Sequence, residues 1–438
     1  MKRGRRWLSP ISPVVARPAP TPVAFLARDL VMGGAERTYL HFVNRIASVQ
    51  PVSVLARRDG ALLNELRPDI PLFDLSRPVP SDPFGLSGAD RGPTGEDPPG
   101  GFNLRSVARL VPECHRLHQV LRLTGCNVVS SFLMRSHLIA LLTKHWLRRD
   151  LRVVINVHEH MSESAPHLYP SAADRMLMRW VTRNLFPGAD RIVVVADSLR
   201  QDLIGEFGVP DSLISVVRNP IDLRTIREKA GDAIDAAQMP EDGAPTIVAV
   251  GRLVHLKGFD ILIRAFARIP AALGARLVIV GGGPDREALQ ALAAQLALGN
   301  RVRFAGMQKN PWKYVARAHV LAMPSRTEAF PSVIGEALAL EVPVVAADCS
   351  AGVREYLDGS RLGLLVPPED EASLATAIER LLRDAALRAA FARHGPPRMA
   401  ELDVPVVVKL YEETLAHVLG TTTTRAARNP VTSPVTTT

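Results

Sequence analysis

Short apolar runs alternate with longer stretches of helical period along most of this chain, and the alternation occurs in two series. In the first series, residues 23–26, 51–56, 127–132, 152–157 and 191–195 read as strands; in the second, 246–250, 276–280, 301–304, 320–323 and 343–346 do. Between the first two runs, Ala35, Tyr39, Phe42, Val43 and Ile46 recur three and four apart, which puts them on one face of a helix. Helical spacing also predicts helices at 259–269, 284–298, 332–340 and 371–383. Strands alternating with helices predict an α/β fold of parallel sheets with crossover helices, built twice. Asn219-Pro220 signals a turn, and the Ala-, Asp- and Gly-rich stretch 228–245 follows it, so the boundary between the halves belongs near 219–244.

Three segments lack the anchors to pack: residues 1–20, residues 77–101, rich in Pro, Gly, Asp and Ser, and the Thr-rich stretch 421–438. At 438 residues the rest is long enough for two large domains. The formal charge of +9 would raise nucleic acid as a partner, but Lys2, Arg3, Arg5, Arg6, Arg17, Arg425 and Arg428 place most of that excess in the two tails. The body is close to neutral, and a nucleic-acid partner is not expected. Cys114, Cys126 and Cys349 are too few and too scattered for a disulfide framework or a zinc site, which fits a reducing, cytoplasmic setting. No run approaches the ~18 apolar residues that span a bilayer. Pro10 and Pro13 break the short apolar run behind the basic start, which reads as a tail and not as a signal peptide.

Open parallel sheets bind ligands at the carboxyl ends of their strands. Four such places carry chemistry. In Val250-Gly251-Arg252-Leu253-Val254-His255-Leu256-Lys257-Gly258, two cations precede a helix start, a combination suited to a phosphate or diphosphate. Either cation alone would read as a solvated loop charge. In Glu328-Ala329-Phe330-Pro331-Ser332-Val333-Ile334-Gly335-Glu336, two carboxylates can accept sugar hydroxyls, and the backbone N–H groups of 330–333 can receive an anion; Ser332 is the expected N-cap. Gly33-Gly34 precedes a helix, where a tight turn and a close ligand approach are equal readings. Gly281-Gly282-Gly283-Pro284 lacks the full dinucleotide fingerprint and reads as a turn with Pro284 at the first helical position. The fourth place is His158-Glu159-His160 after the strand at 152–157. It offers no third metal ligand, so His158 is either a substrate contact in the cleft or a hydrogen-bonded structural histidine.

In this order the motifs resemble the retaining glycosyltransferases of family 4, whose two Rossmann-like domains face each other across a cleft in the GT-B arrangement. The resemblance is carried by Val217-Arg218-Asn219-Pro220-Ile221-Asp222, the Arg252 to Gly258 loop, 277–284, Glu328 to Glu336, and Gly363-Leu364-Leu365-Val366-Pro367. Met32-Gly33-Gly34-Ala35-Glu36-Arg37 and His158 extend it more loosely into the first half. It implies an N-terminal acceptor-side domain at 21–218 with 77–101 as a flexible insertion, a linker at 219–244, a C-terminal nucleotide-sugar-binding domain at 245–402, and a helix at 403–420 packing back on the first domain.

The resemblance further implies a nucleotide-diphosphate sugar donor, UDP- or GDP-linked, with no cofactor and no metal. Arg252 and Lys257 would hold the diphosphate, Glu336 the ribose hydroxyls and Glu328 the sugar. Phe330, Ser332 and Val333 would line the donor site, Gly34 would admit the phosphates to the N-terminal backbone, and His158 would join Glu328, Arg252 and Lys257 in catalysis. Two departures stand out. Glu328-Ala329-Phe330-Pro331 replaces the common Glu-Gly-Phe-Gly, so Pro331 removes one backbone donor. Ala196-Asp197 stands where Ser is usual.

The expected reaction is transfer to a glycan or lipid-linked acceptor in bacterial polysaccharide or glycolipid biosynthesis. The alternatives are a nucleotide-sugar epimerase on the same plan, which would need no acceptor, and a non-catalytic scaffold. Basic and apolar residues from Arg175 to Phe186, together with the basic tail, add an anionic membrane surface as a further partner, peripheral on the inner face of the cell membrane. A core helix with a solvated Arg stripe explains Arg175 to Phe186 equally well.

Overall fold

The computed structural model describes residues 20–30, 33–58, 60–77, 110–163, 165, 169, 171–235, 238–239 and 243–420. The expected tails, the insertion from residue 78 to 101, and Met32 of the glycine motif lie outside the described residues.

Seven parallel strands form the first sheet: β1 (Pro22–Ala27), β2 (Gln50–Leu55), β3 (Leu72–Asp74), β4 (Val128–Phe132), β5 (Arg152–Val157), β6 (Arg191–Val194) and β7 (Ile214–Val216), in the order β3-β2-β1-β4-β5-β6-β7. Six form the second: β8 (Thr246–Val250), β9 (Arg276–Val280), β10 (Val302–Gly306), β11 (Val320–Met323), β12 (Val344–Ala347) and β13 (Gly363–Val366), in the order β10-β9-β8-β11-β12-β13. The central strands are rich in Val, Ile, Leu and Ala because helices cover both faces and leave no wet side to alternate with; Ser130 and Ser131 on β4 and Asn156 on β5 are buried exceptions. β3, β7 and β13 do not stand out in the sequence. All three are sheet edges of three or four residues, with one neighbour instead of two and only partial burial.

Each sheet reverses its winding direction once, between β1 and β4 and between β8 and β11. The loops leaving these strands therefore diverge and open a crevice at the carboxyl ends. The stretch 219–244, expected as a linker, contains the helix Leu223–Ala230. This helix belongs to the second domain: Asn310 Nδ2 donates to Lys229 O (2.8 Å) and Lys313 Nζ to Ala233 O (2.9 Å). The chain crosses between domains twice, side by side, with Ile221 N–H bonded to Leu402 O (2.8 Å) and Val404 N–H to Ile221 O (3.2 Å).

After the second crossing, the helix Val404–Leu419 lies on the first domain. Tyr411 stacks on Phe42 with ring centroids 4.0 Å apart and hydrogen-bonds Ser130, and Arg152 donates to Val418 O near its end. Besides one core on one face of each sheet, an apolar cluster runs continuously from the other face of the first sheet to that of the second, including Ile221, Ile334, Leu338 and Met399.

Candidate functional site

The second domain supplies one wall of the cleft. Arg252 follows β8 by two residues. The loop it starts is tied down by Gly251 N–H to Val280 O (3.0 Å) and Leu253 N–H to Gly282 O (2.9 Å), so the glycine triplet after β9 is a backbone support for this loop, as a turn reading implies. Pro284 precedes the N-cap Asp285 and is not the first helical residue.

Lys257 ends the loop at Gly258, whose φ of +64° and abutment on Pro324 O leave no room for a side chain. The two loops are thereby pressed together, and Lys257 Nζ pairs with Glu328, which also accepts from Ser325 Oγ (2.9 Å). Arg326 fastens the same loops. Its guanidinium is bidentate to Asp260 (2.8 and 2.8 Å), donates to His255 O (2.7 Å) and reaches Glu369 (2.9 Å). Nothing in the spacing of the sequence singles out Arg326, because its partners lie 43 and 66 residues away.

Past Glu328, Pro331 is itself the N-cap and Ser332 the first residue of the helix Ser332–Ala339. Ser332 is therefore not the cap expected, and its side chain makes no capping bond. Pro331 has the extended backbone that ends a loop, which leaves the helix to start one residue later. Phe330 borders the cleft with its ring buried against Tyr356, centroids 3.9 Å apart, and its carbonyl accepts from Asn219 Nδ2 (3.2 Å). Val333 and Glu336 face the cavity from the first turns of the helix. Burial pushes the Glu336 carboxyl above its ordinary range, while Arg37 of the opposite domain and the Trp312 indole favour its charged form.

The first domain supplies the other wall. Gly33 and Gly34 precede the helix Gly34–Arg45, and they differ. A side-chain carbon on Gly33 would fall 2.3 Å from Glu36 Oε2, so Gly33 makes room for the Glu36 carboxyl; one on Gly34 would meet nothing within 4 Å. Gly34 lines the cavity with open space before it. Burial and nearby Asp29 lift Glu36 to about 7, and burial together with Glu36 lifts Glu159 to about 7.

His158 follows β5 and stacks on Phe132 (5.7 Å). Burial lowers its pKa to about 4, so the ring is neutral at neutral pH, and neither ring nitrogen has a hydrogen-bond partner. The Asn219 side chain is the polar neighbour that favours the charged form, and the ring lines the cavity. His160, by contrast, is bonded to Ser198 Oγ (3.2 Å).

All nine residues singled out for the donor and catalytic roles, Gly34, His158, Arg252, Lys257, Glu328, Phe330, Ser332, Val333 and Glu336, border one cavity of about 550 Å³ between the domains. That volume suits a small-molecule ligand. Sequence reasoning took Glu36, Arg37 and Glu159 only as parts of motifs and missed them as wall residues. Among the described residues, no group of three or more His, Cys, Asp or Glu is placed to hold a metal ion.

Two parallel-sheet α/β domains facing each other across a cleft are the GT-B arrangement. Residues 32–225 match the family model Glycosyltransferase Family 4, and residues 232–397 match Glycosyl transferases group 1. The N-acetylgalactosamine-N,N'-diacetylbacillosaminyl-diphospho-undecaprenol 4-alpha-N-acetylgalactosaminyltransferase of Campylobacter jejuni is 31% identical over 296 residues, which cover 68% of this chain and 77% of that protein. The lipopolysaccharide core biosynthesis glycosyltransferase LpsE of Rhizobium meliloti is 38% identical over 165 residues, 37% of this chain and 47% of that one. In fold, the chain is similar to Anabaena HepE in complex with UDP, with a TM-score of 0.71 at 20% identity, covering 91% of this chain and 100% of that one. The chain belongs to the group 1 and family 4 glycosyltransferases. The epimerase alternative falls away, since these relatives are transferases.

Proposed function

We propose that this glycosyltransferase moves a sugar, with retention of configuration, from a UDP- or GDP-linked donor to a hydroxyl of a glycan or lipid-linked acceptor in bacterial polysaccharide or glycolipid assembly. The observation that carries this reading is the placement of Arg252, Lys257, Glu328 and Glu336 on one wall of the cavity, at the carboxyl ends of β8 and β11. The reading is supported by the relatives, one named as an alpha-transferase acting on a diphospho-undecaprenol-linked sugar.

Arg252 and Lys257 face the diphosphate, Glu336 the ribose hydroxyls and Glu328 the sugar hydroxyls; Gly34 leaves space for the phosphates. As the acceptor oxygen bonds to the anomeric carbon on the face the diphosphate leaves, the carbon–phosphate-oxygen bond breaks and the departing oxygen takes the acceptor proton. Charge accumulating on the diphosphate is stabilised by Arg252, Lys257 and the N–H groups of Ser332 and Val333, Pro331 having none. These cations take the place of a metal. Neutral His158 offers one donor and one acceptor to hydroxyls in the cleft.

Calorimetry with EDTA present tests the donor site. One series among UDP, GDP, ADP and their sugar conjugates should bind at micromolar affinity. Glu336→Ala should weaken it by about 1 to 3 kcal/mol, the cost of losing a buried acceptor. Binding by no nucleotide, or equal binding by the variant, would remove the assignment. An NMR spectrum of the first product reads the anomeric configuration, and inversion would exclude retention.

The second part of the proposal is peripheral docking on an anionic membrane. Among the described residues, no helix is long and apolar enough to cross one. On the helix Ala172–Leu185, Met176 (73% exposed) and Trp180 (54% exposed) lie one turn apart, flanked by exposed Arg179 and Arg183. Apolar side chains bordered by cations suit a lipid surface of negative charge. Sedimentation with phosphatidylglycerol vesicles should carry the protein down, and Met176→Ser with Trp180→Ser should weaken this by roughly tenfold. Equal sedimentation of the double variant would exclude this face.

A further inference from the structure

The two domains bring different charges to the cleft. Arg252 and Lys257 come from the second domain, Lys257 paired with Glu328. The acid side belongs to the first domain: Glu36 in the first turn of the helix Gly34–Arg45, within reach of Arg252, and Glu159 two residues past β5, with Arg37 directed at Glu336 and Asp29 behind Glu36 paired with Arg28. The acid side is also built to receive polar groups. Asn156, 2% exposed and lining the same cavity, spends its amide N–H groups on Ser130 Oγ (2.9 Å) and Ser131 O (3.0 Å), while its Oδ1 has no partner. His158 lines the cavity with both ring nitrogens unpartnered. Buried polar atoms without partners are costly, and here a hydroxylated ligand would satisfy them.

We propose that Glu36, Asn156, His158 and Glu159 form an acceptor subsite that takes a sugar ring bearing hydroxyls and no anionic group, and that its two carboxyls exclude rings carrying a carboxylate or phosphate. This rests on the transferase reading above and narrows its acceptor. Burial lifts both carboxyls toward the neutral form, and a protonated carboxyl donates to a hydroxyl as well as accepting from one. A carboxylate on the incoming ring would be desolvated beside this pair and would also face the diphosphate, repelled from both directions. Gly33 belongs to the device, since the Glu36 carboxyl occupies the space its side chain would fill.

Saturation-transfer NMR on UDP-loaded protein tests the rule, with methyl α-glucopyranoside, its 2-acetamido analogue and methyl α-glucuronide as probes. The neutral pyranosides should receive saturation and the glucuronide should not. Glu159→Ala should reduce the neutral signal by at least ~fivefold, and Glu36→Gln with Glu159→Gln should let the glucuronide in. Glucuronide binding to the wild type, no neutral binding, or neutral binding indifferent to Glu159→Ala would each overturn the proposal. Calorimetry of UDP with the wild type separates the two failures: a protein that binds UDP but no neutral ring loses only this subsite, and one that binds neither loses the donor reading as well.

Discussion

Lys257→Ala should lower turnover of the donor by about 10²- to 10³-fold, the usual effect of removing one preorganised charge from a site where negative charge develops. Its effect on folding should be small. The Lys257–Glu328 pair borders the cleft, with the side chains 32% and 12% exposed, and such a pair contributes little beyond its local geometry. Glu328 keeps Ser325 Oγ as a partner after the substitution, so no carboxylate is left without a hydrogen bond. Nucleotide release measured beside a melting curve decides the matter. A large fall in melting temperature with turnover intact would make Lys257 a structural residue.

Lys257 also shows which parts of the site can be read in a sequence. Arg252, Lys257, Glu328 and Glu336 are recognisable because each follows a strand that is itself plain, β8 or β11, and because parallel sheets put ligands there. The central strands are plain since burial on both faces leaves them mostly apolar residues. What holds Lys257 in place is not visible in the same way. Arg326 acts through Asp260 and Glu369, and those contacts exist only once β8, β11 and the loop after β13 converge.

The acid side of the cleft is hidden for the same reason. Glu36 and Glu159 are 123 positions apart in the chain and become neighbours through the pairing of β1 with β4 and β4 with β5. Phe330 borders the cavity, as the motif implies, but the packing of its ring on Tyr356 has no signal in the spacing, since the two residues lie at the ends of different helices.

Gly352→Ala, a change outside the cleft, should weaken donor binding by about 10- to 100-fold, through the 1 to 3 kcal/mol that overpacking costs. A side-chain carbon at 352 would fall 1.6 Å from Ala329 O, so the loop carrying Glu328 must move to admit it. The helix Ala351–Tyr356 cannot retreat freely. Ser350 caps its start through the Val353 N–H (3.3 Å), and Tyr356 at its end stacks on Phe330. Glu355 ties the same helix to the first domain, accepting from Asp197 N–H (3.0 Å) and from Arg218 (3.1 Å). The displacement is therefore directed at the loop carrying Glu328, and the interdomain contact at Glu355 should loosen with it. Gly205→Ala is the control: nothing lies within 4 Å of its added carbon, and the residue is in the interior of the helix Asp197–Phe207. Donor calorimetry on both variants, with hydrogen exchange at residues 328–333, reads the coupling. If Gly352→Ala folds and binds the donor as Gly205→Ala does, the helix does not support the loop, and the donor site is held by Lys257, Arg326 and their partners alone.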